Sequence, residues 1–255
     1  MDQMTVGKEV GAVTQAVNIL RAIADAEAPM GVTALARAAN VSPSTTLNIL
    51  RTLIGQKLVG FSAHNKTYRL DVGLLELARS LLNSSAMNLL MPELQDLARR
   101  FEATVTVWQM HGERHLLVGR VVPEEGVHIE FPVASRVSAY AGATGRMMLA
   151  LGHYSEAQIR AAIEGLPWNE PVPFARYLKE LKQARENGYA IDAGHLLRSV
   201  TSVAAAMVDV EGRPRLAISL HTFLGQHSPA ALKELGEALT AMCRRNEVAM
   251  FGKRA

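Results

Sequence analysis

The sequence lacks the features that mark secreted and membrane-spanning proteins. Its 255 residues include a single cysteine, Cys243, so no disulfide can form within the chain, which is compatible with a reducing compartment. No apolar run is long enough to cross a bilayer, and the N-terminus has no signal-peptide pattern. We therefore expect a cytoplasmic protein that has no membrane partner.

The excess of positive over negative charge is also small, but it is unevenly distributed along the chain. The net charge of the whole chain is +3, which is weak evidence for a nucleic-acid partner. Residues 1–70 contain seven Lys or Arg and four Asp or Glu, whereas residues 71–255 contain twenty of each. The length and the hydrophobic content of 49% predict two ordinary globular domains, of which the first is basic.

The basic segment contains the pattern of a helix-turn-helix, in the stretch GVTALARAANVSPSTTLNILRTLIGQKLV. A short apolar helix is followed by a break at residues 39–41 and by a second helix that opens at Ser42. Serine can cap the free amides of that helix, and Pro43 suits its first position. The apolar residues of the second helix share one side, and its small polar residues, which suit base edges in a major groove, lie elsewhere.

A hairpin follows the second helix, as in a winged helix-turn-helix. Residues 57–61 and 66–70 read as two short strands around a polar turn, with Lys66 and Arg69 between apolar positions. Double-stranded operator DNA is the expected partner, and the alternative is a helical hairpin with a β-hairpin that binds nothing. We predict that Ser44, Thr45 and Asn48 reach base edges. The full predicted DNA-binding set is Ser42, Ser44, Thr45, Thr46, Asn48, Arg51, Lys66 and Arg69, of which the last three meet phosphate.

The rest of the chain predicts a linker helix and a second domain. Residues 72–88 carry a broad apolar face, which is expected to pack against a second copy or, alternatively, against its own domain. Residues 89–255 mix helices with strands at residues 104–110, 114–122, 127–132, 189–192, 200–210 and 215–221. This pattern is typical of an α/β domain with a largely antiparallel sheet, and the winged domain would occupy residues 1–71.

The order of these elements resembles the IclR family of bacterial transcription regulators over essentially the whole chain. Besides the helix-turn-helix, the resemblance rests on KTYRLDVGLLELA, AYAGATGRMMLA, NGYAID and SVAAAMVDVEGRPRLAISL. It implies an α+β protein with an N-terminal winged helix-turn-helix, a linker helix and a C-terminal GAF-like domain. It also implies a homo-oligomer, either a dimer or a dimer of dimers, that regulates a catabolic operon.

The resemblance further implies a pocket in the C-terminal domain for a small effector, often a carboxylate or an aromatic catabolite. Ligand oxygens would meet backbone amides where the small-residue helix begins. The matching positions are Ala143, Thr144, Asp192, Ser202, Ser219 and His221, with Ile129, Phe131 and Val137 as the apolar lining. The chain departs from the family pattern at His195, Ser202, His221, Ser44 and Asn48, so the relatives' effectors and operators are not carried over.

The residues themselves favour an anionic ligand at that site. Gly142–Gly145 would expose free amides at the positive end of a helix, although close helix–sheet packing explains small residues equally well. A protonated His221 would attract an acid, and Asp192 would select a hydroxyl or orient His221. The alternative for His221 is a structurally paired histidine.

Signs of an enzyme or a metal site are few. The eight histidines show no strong metal-ligand spacing, and neither a Gly-x-Ser-x-Gly nor a Walker pattern occurs. We expect no cofactor and no metal. The competing hypothesis is an enzyme or metal-binding protein that uses the region of Asp192 and His221, and the leading one is a ligand-responsive transcription regulator.

Overall fold

The computed structural model describes residues 9–82, 85–111 and 114–252, although it leaves the side chains of residues 79–86 and of His111 undescribed. The chain forms two compact units that divide between residues 84 and 85. In the described part, no helix combines the length and apolar character that a bilayer span requires.

The first unit is a winged helix-turn-helix, as the sequence predicts. Its turn contains Asn40 at φ 54°, a left-handed conformation that asparagine tolerates. Ser42 caps the second helix of the motif by accepting a hydrogen bond from the Thr45 amide, and Pro43 opens that helix. The elements are α1 (Gly11–Ala24), α2 (Val32–Ala38), α3 (Pro43–Gly55), β1 (Val59–Ser62), β2 (Thr67–Leu70) and α4 (Gly73–Leu82).

A small apolar core holds this unit together. Ile19 of α1, Leu35 of α2 and Leu50 of α3 are fully buried and meet the wing residues Val59 and Tyr68. The wing strands pair antiparallel, with Val59 opposite Leu70. The wing is therefore fixed to the three-helix core from which α3 is presented.

The second unit is built on a six-stranded sheet with the order β5-β4-β3-β8-β7-β6. Each neighbouring pair is antiparallel, which confirms the predicted largely antiparallel sheet. The strands are β3 (Thr104–His111), β4 (Arg114–Val121), β5 (Arg136–Ser138), β6 (Tyr189–Ala193), β7 (Val200–Val208) and β8 (Pro214–Phe223). The helices are α5 (Ser85–Arg100), α6 (Gly142–Leu151), α7 (Glu156–Ile163), α8 (Phe174–Asn187) and α9 (Pro229–Phe251).

The two faces of this sheet have different chemistry. One face contributes Val105, Val107 and Ile218 to a large apolar core that α5 and α9 complete. The other face carries alanines and packs against α6. A Cβ at Gly145 would lie 1.9 Å from the carbonyl carbon of Tyr140, so glycine is required where α6 passes the preceding loop. Helix α6 therefore lies close to a face with few large side chains.

Two predicted elements differ from the structure. The strand expected over residues 127–132 is wrong: this segment has no strand, and the short β5 lies further along the chain. Proline at 132 has no amide to donate to a ladder, and the segment is held instead by side-chain hydrogen bonds to its carbonyls. The sequence analysis assigned residues 85–88 to the linker helix, whereas in the structure they belong to α5. This helix begins at Ser85 and continues through Pro92, because Leu90 and Leu94 pack into the large core.

Candidate nucleic-acid interface and ligand site

Most of the predicted DNA-binding residues lie on the open surface of the first unit. Ser44, Asn48 and Arg51 of α3 are exposed, and Thr45 is half-buried. The Ser42 hydroxyl caps the helix and also lies 3.1 Å from the Ser44 hydroxyl and 2.8 Å from the Thr45 hydroxyl. On the wing, Lys66 and Arg69 are both exposed. The side of α3 that bears these residues is small and polar, so it can approach base edges without steric hindrance.

Thr46 is a correction to the predicted DNA-binding set. Its side chain is fully buried, and its hydroxyl has no hydrogen-bond partner among the described residues. Thr46, Leu50 and Leu53 follow one another at helical spacing on the buried side of α3. Thr46 therefore belongs to the core of the unit and cannot meet a base.

In the second unit, five polar residues form a cluster on the α6 side of the sheet, whose two halves are connected by a 3.3 Å hydrogen bond from the Thr106 hydroxyl to the Ser219 carbonyl. The His221 Nε2 atom lies 2.8 Å from the Thr106 hydroxyl, and its Nδ1 atom lies 2.8 Å from the Ser202 hydroxyl. The hydroxyls of Thr144 and Ser219 are 3.2 Å apart. We call this set, Thr106, Thr144, Ser202, Ser219 and His221, the polar cluster.

Strand pairing explains why these residues meet. Ser219 lies opposite Thr106 on β3, and His221 lies opposite Ser202 on β7, so their side chains leave the same face of the sheet. Thr144 is in the first turn of α6, directly above this face. Four residues predicted to bind the effector are thereby brought together, whereas the sequence analysis missed Thr106.

His221 is neutral in this arrangement, which agrees with the alternative of a structurally paired histidine and not with a protonated ring. Burial lowers the pKa of His221 to about 3. Both ring nitrogens already bond to hydroxyls, so the ring can donate one hydrogen bond and accept the other. His221 therefore offers a ligand a neutral polar group and no positive charge.

Asp192 has a different partner from the one expected. Its carboxylate accepts a 2.5 Å hydrogen bond from Arg146 Nη1 and another, of 3.1 Å, from the Leu196 amide. Arg146 also donates to Glu180 at 2.9 Å, and its guanidinium lies over the ring of Tyr177. Asp192 thus closes a buried ion pair and does not orient His221.

The ionisation of Arg146 follows from these contacts. Burial by itself would lower the pKa of Arg146, but the carboxylates of Asp192 and Glu180 raise the pKa above its usual value. The buried cation is therefore kept, and it balances the charge of Asp192. The sequence analysis missed Arg146 altogether, because nothing local to α6 indicates a partner on β6. The hypothesis of an enzyme or metal site at Asp192 and His221 loses its basis, since each residue is bonded to other groups.

A segment without regular structure covers the polar cluster. The Thr104 hydroxyl donates to the Ile129 carbonyl at 2.7 Å, and the Phe131 ring lies 4.4 Å from the His221 ring, centroid to centroid. Trp108 meets the Phe131 ring edge-on at 6.3 Å and donates from Nε1 to Thr106. We call residues 127–133 the covering segment. Ile129 and Phe131 are thus near the cluster, as predicted.

Val137 and His115 lie further along the same face. Val137 is on β5, opposite His115 of β4, and is partly buried among the residues that pack on α6. His115 is fully buried, and among the described residues neither of its ring nitrogens has a hydrogen-bond partner. Burial lowers the pKa of His115 to about 4, so this ring is neutral as well.

Comparison with known proteins gives a consistent picture for both units. The sequence matches the model described as the C-terminal domain of the bacterial transcriptional regulator IclR over residues 79–246. It also matches the IclR helix-turn-helix domain over residues 12–61.

Individual relatives are distant in sequence but similar along most of their length. The chain is 26% identical over 218 residues to the HTH-type transcriptional regulator TtgV of Pseudomonas putida, covering 84% of this chain and 83% of that protein. An IclR transcriptional regulator from Alicyclobacillus acidocaldarius has a TM-score of 0.82 at 22% identity, with 95% and 100% of the chains covered. An IclR homolog from Microbacterium hydrocarbonoxydans, complexed with 4-hydroxybenzoate, has a TM-score of 0.78 at 19% identity, with 93% and 99% covered.

The two buried histidines predict a loss of stability in mild acid. Their pKa values in the folded protein, about 4 for His115 and about 3 for His221, lie below the roughly 6.5 of an unfolded chain. The unfolded chain therefore takes up protons first as the pH falls below about 6.5. As the pH falls from about 6.5 to the pKa of each histidine in the folded protein, that histidine should lower the free energy of unfolding by about 1.4 kcal/mol per pH unit.

Urea denaturation between pH 7 and pH 4.5 tests this expectation with two variants. His115→Leu should flatten the pH dependence of the free energy of unfolding, because one of the two shifted groups is removed. His153→Gln, which removes an imidazole from an exposed position, serves as the matched control. Parallel curves for the parent and His115→Leu would show that His115 does not resist protonation in the folded protein.

Proposed function

Because the chain belongs to the IclR family of bacterial transcriptional regulators, it is a DNA-binding regulator, and we propose that it senses a small organic acid. The acid, aliphatic or aromatic, binds at the polar cluster of the second unit, and the regulated genes form a catabolic operon. The observation that carries this proposal is the convergence of three hydroxyls and a neutral histidine beneath the first turn of α6, which adds the hydroxyl of Thr144.

The first turn of α6 supplies the anchor for the acid. Its N-cap residue, Ala141, has no side chain that could cap the helix, and Gly142 at φ 62° turns the chain into it. Free amides at a helix N-terminus attract negative charge. The carboxylate therefore points toward the amides of Ala143 and Thr144, with Ser202, Ser219 and His221 around it.

Apolar residues complete the site and set the shape of the ligand. Phe131 and Ile129 of the covering segment and Trp108 of β3 provide walls near the cluster. Val137, on the same side of the sheet, extends this lining toward β5. A mostly apolar pocket with a few polar anchors is typical of small-molecule sites. The structural neighbour complexed with 4-hydroxybenzoate supports an aromatic acid as one candidate.

DNA binding is assigned to the exposed polar side of α3 and to the wing. Ser44, Thr45 and Asn48 meet base edges in the major groove, whereas Arg51, Lys66 and Arg69 neutralise phosphates. Ser42 supports this surface through its hydrogen bonds to the next two hydroxyls.

The active form is a homo-oligomer, either a dimer or a dimer of dimers. On helix α4, Leu75 and Leu77 are exposed by 60% and 69%, on different sides of the helix, and we infer that a second copy covers part of this apolar surface. The predicted apolar face also includes Leu81, whose side chain lies outside the described part. A two-fold dimer reads a near-palindromic operator with half-sites about one helical turn or a multiple apart.

Regulation follows from linkage between the two ligands. The effector shifts the balance between two arrangements of the oligomer only by its difference in affinity for them, and DNA affinity changes by the same coupling. Either release from the operator or recruitment to it is consistent with this mechanism.

Asn48→Ala tests the base-reading surface on a site selected from random DNA by the purified protein. We expect a loss of about 1–3 kcal/mol on the selected site and little change on random DNA, because a base contact is removed. Lys66→Ala should weaken both alike and reduce the salt slope by about 1. Thr46→Val, with its side chain in the core, is the matched control; a change of base preference in this variant would contradict the assignment.

Leu77→Glu tests the oligomer by sedimentation and operator binding. A charge at Leu77 should raise the dissociation constant of the dimer and weaken operator binding with it, since a second copy packed on this side of α4 would bury that charge. Glu76→Lys changes the charge at the next position and controls for electrostatic effects on DNA. A parent protein that sediments as a monomer while binding its operator tightly would refute the homo-oligomer.

Ser219→Ala tests the effector site by calorimetry with a panel of aromatic and aliphatic acids that includes 4-hydroxybenzoate. The affinity for an acid that binds the parent should fall about 2- to 10-fold, the usual effect of losing one neutral hydrogen bond. Thr222→Val is the matched control. Thr222 follows His221 on β8, so its side chain leaves the face of the sheet opposite to the one that carries His221 and Ser219. Equal affinities for parent and Ser219→Ala would mean that the acid binds elsewhere, and no binding by the parent would refute the proposed sensor.

A further inference from the structure

Arg120 lies beside the polar cluster and has no role in the site as described so far. On β4 it is directly opposite Thr106 of β3, so the two side chains leave the same face of the sheet. Thr106 belongs to the polar cluster through its contact with His221. Arg120 is therefore a neighbour of the cluster on the side away from β8.

The guanidinium of Arg120 is bonded to the covering segment. Its Nη1 atom donates to the Phe131 carbonyl at 2.7 Å, and its Nη2 atom lies 2.5 Å from a carboxylate oxygen of Glu130. The ring of Phe131 is the one that packs on His221. The carboxylate of Glu130 thus already occupies the position next to Arg120 at the border of the cluster.

Arg120 differs from the groups around it because it brings a full positive charge to the border of the polar cluster. The cluster consists of hydroxyls and a neutral histidine, and the charge of Asp192 is balanced by Arg146. The N-terminus of α6 supplies only about half a positive charge. Arg120 adds a full positive charge, in a fork that matches the two oxygens of a carboxylate.

We propose that Arg120 binds a second carboxylate at the far end of the effector, which displaces the Glu130 carboxylate from it. This inference rests on the proposed function, in which the first carboxylate meets the amides of α6. It narrows the ligand class to dicarboxylic acids. Because β3 separates Ser219 on β8 from Arg120 on β4, the two anchors start from main chains about 10 Å apart.

Displacement of Glu130 is energetically feasible. Its side chain is 60% exposed and that of Arg120 is 29% exposed. An ion pair with so exposed a partner contributes little to stability, because water solvates the released carboxylate. A ligand carboxylate held against the neutral cluster gains more from the same guanidinium, since less water competes there. The Phe131 carbonyl keeps its own hydrogen bond from Nη1.

The test compares diacids with their half-amides on the full-length protein. Calorimetry is performed with adipate, terephthalate and the mono-amide of each, on the parent, Arg120→Gln and Glu130→Gln. The parent should bind the better diacid about 10- to 100-fold more tightly than its mono-amide, as expected for a charge-assisted pair. Arg120→Gln should abolish that preference and leave the affinity for the mono-amide nearly unchanged.

Glu130→Gln distinguishes a ligand anchor from a structural clamp. If Glu130 competes with the ligand, this variant should bind the diacid about two- to fivefold more tightly than the parent, the opposite direction to Arg120→Gln. Weaker binding of the diacid and the mono-amide in both variants would show that the pair only holds the covering segment, and would overturn the inference. So would a parent that binds the diacids and mono-amides equally. A parent that binds monoacids such as 4-hydroxybenzoate but no diacid overturns this inference alone, whereas a parent that binds no acid overturns the proposed sensor as well.

Discussion

The buried ion pair between Arg146 and Asp192 is the constraint on which the geometry of the second unit depends. Arg146 of α6 reaches β6 through Asp192 and α8 through Glu180, so one guanidinium connects α6 to two other elements. Its side chain is almost fully buried, and the ring of Trp168 lies 5.7 Å from it. A buried charge is tolerated only when it is paired and hydrogen-bonded, so these elements have little freedom to move apart. The start of α6, and with it Thr144, is thereby fixed above Ser219.

The same pair decides what a ligand can meet at this site. Since both charges of the pair are used within the protein, Asp192 does not repel an anionic ligand and is not free to select a hydroxyl. His221, buried between Thr106 and Ser202, adds no charge either. Electrostatic attraction for an acid then depends on the helix N-terminus of α6 and on whatever cation borders the cluster. Neutral hydroxyls provide direction through their geometry more than they provide affinity.

Local signals in the sequence predicted the regular elements well. The cap at Ser42 and the proline after it lie where the sequence analysis placed them. The cap at Ser228, followed by Pro229, and the left-handed Gly188 that ends α8 obey the same local preferences. The winged helix-turn-helix and the antiparallel sheet of the second unit are confirmed. These features depend on neighbouring residues or on hydrophobic periodicity, which a single sequence displays.

Local signals of this kind could not predict contacts between residues that are far apart in the sequence. The partner of Asp192 lies 46 positions earlier on a helix, and the pattern of neither segment indicates the other. Thr46 was assigned to the surface because threonine is polar. It lies on the buried side of α3, because the packing of Leu50 and Leu53 turns that side of the helix toward the core. The segment around residues 127–132 has the composition of a strand, but its carbonyls accept from the side chains of Thr104 and Arg120. Tertiary bonding overrode local preference in each case.

The hydrogen bonds within the polar cluster limit how a ligand can gain affinity there. Each hydroxyl of the cluster already bonds to another group of the protein, so an incoming oxygen exchanges one hydrogen bond for another. Such an exchange contributes modestly, because the net value of a hydrogen bond is small when a partner exists on both sides. For the proposed effector, selectivity would then come from contacts that do not merely exchange partners, namely the apolar walls of Phe131 and Trp108 and the amides of α6. Phe131 belongs to the covering segment, which has no strand pairing and is held by side-chain bonds from the sheet. In the proposed site, the part that would discriminate between ligands by shape is therefore also the part that is least constrained by the sheet.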